Sequence, residues 1–163
     1  LGTYGPPFAR CVGDILDSGA NEEVVMTETS EIVVVGVDGS KQSDAAVAWA
    51  DRYARFSGST VVLVCAWEWA NAYGYPMMFE GYHPDAEAAK LVEKAQAALT
   101  VPAEQVRTVV QEGPAGKVLV ESATDAGLLV VGTHGHRGVN SILLGSVSSY
   151  CLHHAHCPVL VVR

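Results

Sequence analysis

Positive charge is scarce in this chain: ten Lys and Arg stand against eighteen Asp and Glu, a formal net charge of -8. A protein that tracks nucleic-acid phosphates needs clustered basic side chains, so that class is excluded and no nucleic-acid partner is expected. Long hydrophobic runs are also missing, none approaching the roughly 20 residues that a helix needs to cross a bilayer. With no basic-then-apolar leader at its start, the chain is expected to be soluble and cytoplasmic, with no membrane partner. Cysteine is sparse, only Cys11, Cys65, Cys151 and Cys157, and no CxxC pair occurs among them. This spacing excludes a disulfide framework and suits small, buried thiols of a reducing compartment.

What is present fits one domain of 163 residues, long enough to bury a core on two faces. Residues 1–30 differ from the rest: Gly5-Pro6-Pro7, a weakly amphipathic piece from Cys11 to Leu16, then an acidic run of small residues to Ser30. The chain opens on Leu1, and Met26 stands shortly before the first apolar run. An N-terminal extension over 1–30 is expected, with an ordinary ordered arm as the alternative that composition does not separate. From residue 31 onward, short β-branched runs alternate with stretches of helical period. Strands are expected at 32–37, 61–67, 106–111, 128–131 and 158–162, and helices at 43–56, 85–99, 115–126 and 146–155. Ala46, Trp49, Ala50 and Tyr53 share one stripe of the first helix, and Ser40 or Ser43 is its N-cap. Repeated strand and helix imply right-handed crossovers and an open parallel five-stranded sheet with helices on both faces, a Rossmann-like α/β fold.

Polarity hints at strand order. Arg107, Thr108 and Gln111 suit an edge, whereas the unbroken apolar runs at 32–37 and 128–131 belong in the middle. The last strand is apolar throughout although a C-terminal strand of such a sheet lies at an edge, where open backbone groups invite pairing. A second copy covering it, as a two-fold homodimer, is the expectation.

The segment GTHGHRGVNSILLGS, residues 132–146, carries the most chemistry. Gly132 and Gly135 follow the fourth strand directly, and Gly145-Ser146 returns at the start of a helix. Glycine lets main-chain N–H groups approach an anion, and a helix N-terminus adds free donors and partial positive charge. Open α/β sheets bind ligands beyond the carboxyl ends of their strands, where neighbouring strands send their helices to opposite faces. That crevice falls between the first and fourth strands, so Asp38-Gly39-Ser40 and the glycine loop open into one place. The Asp38 carboxylate can accept from ribose hydroxyls; an Asx-turn or helix cap is the equally weighted alternative. For the glycines the alternative is a tight strand-to-helix loop and nothing more, which four matching positions make the weaker reading.

Other motifs carry less. Gly113-Pro114-Ala115-Gly116-Lys117 is too short for a Walker loop and is followed by Val118 rather than Ser or Thr, and no GxGxxG follows the first strand. The run CLHHAHC at 151–157 offers five possible zinc ligands in seven positions. A helix ending before Pro158 cannot converge four of them on zinc, so a packed helix end is the preferred reading. Residues 67–84 form a connection crowded with Trp67, Trp69, Tyr73, Tyr75, Met77, Met78, Phe79 and Tyr82. It reads as a cover for a ligand, a partner surface, or a flap packed on its own sheet.

The pattern G-x2-G-x9-G-[S/T], met by Gly132, Gly135, Gly145 and Ser146, together with VDGS after the first strand and the ending CPVLVV, resembles the universal stress protein family over residues 31–163. The resemblance implies a sheet of order 3-2-1-4-5, a dimer formed through the last strand, and ATP as ligand. It implies ribose contact at Asp38, adenine near Ala66, and phosphate contacts from Gly132, Gly135, Gly145, Ser146 and Ser148, with His134 close by. A triphosphate brings about four negative charges to an acidic protein, so Mg²⁺ is expected to help; Arg137 could lend a positive charge, but a solvated surface residue is the preferred reading for it, and AMP or cyclic AMP would fit the same crevice. The function expected is a dimeric, nucleotide-responsive stress or signalling module. The alternatives are a slow ATP hydrolase, for which no Walker aspartate, arginine finger or GxSxG elbow stands out, and a nucleotide-free interaction module.

Overall fold

The computed structural model describes residues 31–69, 71–72, 75–76, 81–135 and 144–163. The expected N-terminal extension, Arg137, and the middle of the glycine loop lie outside the described residues. In chain order the elements are β1 (Ile32–Gly36), α1 (Lys41–Ser57), β2 (Thr60–Trp67), β3 (Asn71–Ala72), β4 (Tyr75–Pro76), α2 (Pro84–Ala97), β5 (Val106–Glu112), α3 (Ala115–Ser122), β6 (Leu128–Gly132), α4 (Ser146–His154) and β7 (Val159–Val162), with one 3-10 turn at Ala103–Gln105. Five strands form a parallel sheet of order β5-β2-β1-β6-β7, which is the expected 3-2-1-4-5 once the small β3–β4 hairpin is set aside.

Alternation along β1 explains the two layers. Val33 and Val35 point to one side and pack with Ala46, Val47, Ala50 and Ala54 of α1 and Ala88 and Val92 of α2. Val34 points to the other and joins Val118 and Leu119 of α3 and Cys151 of α4. All three valines are fully buried, each removing apolar area worth about 2 kcal/mol from water. A strand covered on both faces can be apolar at every position, which is why the runs at β1 and β6 read as central. β5 pairs only with β2 and shows mostly exposed side chains, as its polar sequence suggests.

The departures are local. The third helix stops at Ser122 rather than 126, because Thr124 N–H and Oγ1 both turn back to the Glu121 carbonyl and the chain must reverse into β6. Pro158, which has no N–H, contributes only its carbonyl to Leu129, so β7 begins one residue later than expected. The first helix starts at Lys41, two residues earlier, with Ser40 as the N-cap: its side chain accepts from Ser43 N–H. The connection after β2 contains regular structure that periodicity does not reveal, the two-residue strands β3 and β4 paired antiparallel.

Candidate functional site

β1 and β6 are neighbours, yet α1 leaves β1 on one face of the sheet and α4 follows β6 on the other. Their carboxyl ends therefore diverge into the crevice expected of an open α/β sheet. Three contacts bring the two loops together there. An added Cβ on Gly135 would run into the Asp38 carboxylate. The Ser40 hydroxyl lies 3.4 Å from the His134 carbonyl, which accepts from it. Gly132 lies so close to the first turn of α1 that an added Cβ would stand 2.9 Å from Gln42 backbone carbon.

Of the two roles that the sequence left open for Asp38, the loop-shaping one is present. Its Oδ1 accepts from Ser40 N–H at 2.9 Å, an Asx-turn that shapes the loop. Its Oδ2 is the atom facing Gly135, on the crevice side. Ser43 fixes the loop from below: its hydroxyl donates to the Gly36 carbonyl and accepts from Asp38 N–H. Beneath, burial pushes the Cys65 thiol up to about 11, and the nearby Asp38 carboxylate adds to the shift. Cys65 is thus a neutral, packed group, as its place in the core suggests.

The two described ends of the glycine loop are clasped. Gly145 N–H donates to the Thr133 carbonyl at 2.8 Å, and the Ser148 hydroxyl donates to the Thr133 and Gly145 carbonyls at 3.1 and 3.0 Å. A Cβ on Gly145 would stand 3.1 Å from that same Thr133 oxygen, so any larger residue would push the clasp open by a few tenths of an ångström. Gly145 is the N-cap residue of α4 and Ser146 its first helical residue, and among the described residues no side chain caps this end. A helix N-terminus leaves its first N–H groups without intrahelical partners, a position where an anion is favoured.

The structure thus brings Asp38, Gly132, His134, Gly135, Gly145 and Ser146 to one place. Ser148, also expected at the phosphates, is 2% exposed and its hydroxyl donates within the clasp. Gly132 is small because α1 presses on it. Ala66, half-buried, stands at the end of β2 and packs toward α3 and α4. Two participants escaped the sequence reading. Thr133 acts through its main-chain carbonyl, which residue type does not advertise, and the Ser40 bridge joins residues 94 positions apart.

The histidine-rich run behaves as a helix end. Nδ1 of His153 and of His154 each pair with the carbonyl four residues earlier, and His154 stacks on Tyr150 at 4.0 Å between ring centroids. Among the described residues no three His, Cys, Asp or Glu side chains come together as a metal site would require. No helix among them is long and apolar enough to cross a membrane.

Residues 29–163 match the family model described as the universal stress protein family. A universal stress protein of Mycobacterium tuberculosis is 38% identical over 168 residues, covering 100% of this chain and 56% of the relative. The chain spans about half the length of the curated relatives it matches. Among solved structures, a universal stress protein from Lactobacillus plantarum superposes with a TM-score of 0.70 at 23% identity, over 82% of this chain and 97% of the other. A universal stress protein in complex with cAMP superposes with a TM-score of 0.60 at 29% identity, over 82% and 97% of the two chains.

Proposed function

Since this chain belongs to the universal stress protein family, we propose that it is an ATP-binding, dimeric module whose conformation or partner choice answers to the nucleotide. The observation that carries the reading is the convergence at the crevice of a loop clasped by Gly145 and Thr133, an α4 N-terminus that no side chain caps among the described residues, and the Oδ2 face of Asp38. Main-chain donors at Gly135 and Ser146 hold the phosphates, Gly145 shapes their seat by closing on the Thr133 carbonyl, and Asp38 accepts from the ribose. The complex of a related protein with cAMP supports an adenine nucleotide as the class of ligand. His134 lines the same mouth. Ser148 holds the clasp in shape, and Gly132 lets α1 close on β6.

A divalent cation fits this site only as a passenger of the phosphates. Asp38 is the sole carboxylate of the β1 loop, one of its oxygens is already bonded to Ser40, and Mg²⁺ tolerates such sites by keeping most of its ligands as water and phosphate oxygen. Chelator is expected to weaken ATP binding several-fold, and equal affinity with and without it would remove the ion from the account. The dimer forms through β7, whose outer edge pairs with no strand among the described residues.

The direct test is to denature the purified protein, identify any released nucleotide by mass, and then titrate ATP calorimetrically against wild type and Asp38→Asn. Asparagine keeps the oxygen that accepts from Ser40 and loses the charge and the second acceptor. Affinity should fall about tenfold, the scale of one charge-assisted hydrogen bond. Identical isotherms would show that the ribose does not rest on Asp38.

A further inference from the structure

We propose that Trp69, held between Trp67 and Tyr82, is the stacking wall for the nucleobase and makes the site prefer purines over pyrimidines; this rests on the nucleotide reading above. The argument starts from register. Gly36 of β1 pairs with Val64 of β2, and Val37 N–H continues the ladder to the Val64 carbonyl. Counting on two residues sets Asp38 level with Ala66, and Trp67 is the next residue of the neighbouring strand. Adjacent strands lie about 4.8 Å apart, a spacing similar to that between successive parts of a nucleotide. Phosphates at the end of β6 and a ribose at the end of β1 therefore carry the base one strand further, over the end of β2.

What stands there is small on one side and aromatic on the other. Ala66 is small and packs toward α3 and α4, and from Trp67 the chain leads into a ladder of rings. Trp67 packs on the core beneath α1 and α2, which anchors it. Trp69 meets it edge-to-face with centroids 5.8 Å apart at 83°, and Tyr82 meets Trp69 at 6.5 Å and 72°. Both contacts have the geometry that aromatic quadrupoles favour, so Trp69 is braced from two sides while remaining only half-buried. A braced, partly open indole is a stacking platform. A two-ring base covers more of it than a one-ring base, which is the physical source of the preference.

The test uses wild type, Trp69→Leu and Trp69→Phe, each titrated with ATP, CTP and inorganic tripolyphosphate. Wild type should bind ATP about tenfold more tightly than CTP, and Trp69→Leu should lose about that factor for ATP while keeping its affinity for tripolyphosphate. Trp69→Phe should recover most of the loss. In a Trp49→Phe background, where only Trp67 and Trp69 emit, ATP should quench the fluorescence and tripolyphosphate should not. Equal ATP affinity in wild type and Trp69→Leu overturns the stacking wall and leaves the nucleotide site standing. Wild type that binds tripolyphosphate as tightly as ATP overturns it too, and wild type that takes up neither overturns both readings.

Discussion

Individual residues separate ligand effects from folding effects. A methyl group at Gly135 meets the free end of the Asp38 side chain, which can move aside, whereas at Gly132 it meets the Gln42 backbone, which cannot. Gly135→Ala should therefore weaken ATP binding with little change in melting temperature. Gly132→Val should cost about 1–3 kcal/mol of stability in denaturant titrations, the usual penalty of overpacking. Its loss of binding would then say nothing about phosphates. Asp51 is the residue on which the rear of α1 depends: its carboxylate accepts from Thr100 N–H, Thr100 Oγ1 and Val101 N–H, and pairs with Arg55 at 3.4 Å. Burial pushes this carboxyl up, but those hydrogen bonds and the Arg55 charge outweigh it and hold it below the usual carboxylate range. The folded pKa is depressed, so the stabilisation is fully present above the unfolded value of about 3.9 and is lost as pH falls through the folded value. Asp51→Ala should destabilise by about 3 kcal/mol at neutral pH, and its stability should fall less steeply in acid than that of wild type.

At the scale of elements, the proposed dimer rests on the edge strand β7. Leu129 and Thr133 N–H donate to the carbonyls of Pro158 and Val162, so the ladder to β6 uses alternate residues of the strand. Val159 and Val161 turn their main-chain groups outward, to the open edge. Val161→Pro removes an outward donor and leaves the inner ladder whole, since proline is tolerated on edge strands. Light scattering should report a monomer for this variant and a dimer for wild type; two dimers would mean that assembly uses another face. Elements were also where the sequence spoke most clearly. The unbroken apolar runs of β1 and β6, the polar Arg107, Thr108 and Gln111 of β5 and the stripe on α1 each record burial directly, because side-chain chemistry and solvent exposure are coupled residue by residue. The end of α3 was not legible: its apolar period runs on past Ser122, and only the need to turn into β6 stops it.

For the whole molecule, binding and stability are linked. A ligand that binds only the folded state at one hundred times its dissociation constant adds about 2.7 kcal/mol, which in a domain of this size is about 5–10 °C in melting temperature. Saturating ATP should raise the melting temperature of wild type by that amount and that of Asp38→Asn by less at the same concentration. By itself the sequence determined the layers, the strand order and the family, because periodicity, composition and motif spacing are local properties of the chain. It also named the residues around the crevice. The tertiary structure alone decided what each of them does, since the duties of Ser40, Thr133, Gly132 and Ser148 arise from contacts between the β1 loop, the β6 loop and α4. Distance along the chain hides such contacts, and only closure of the sheet brings their partners within a hydrogen bond of one another.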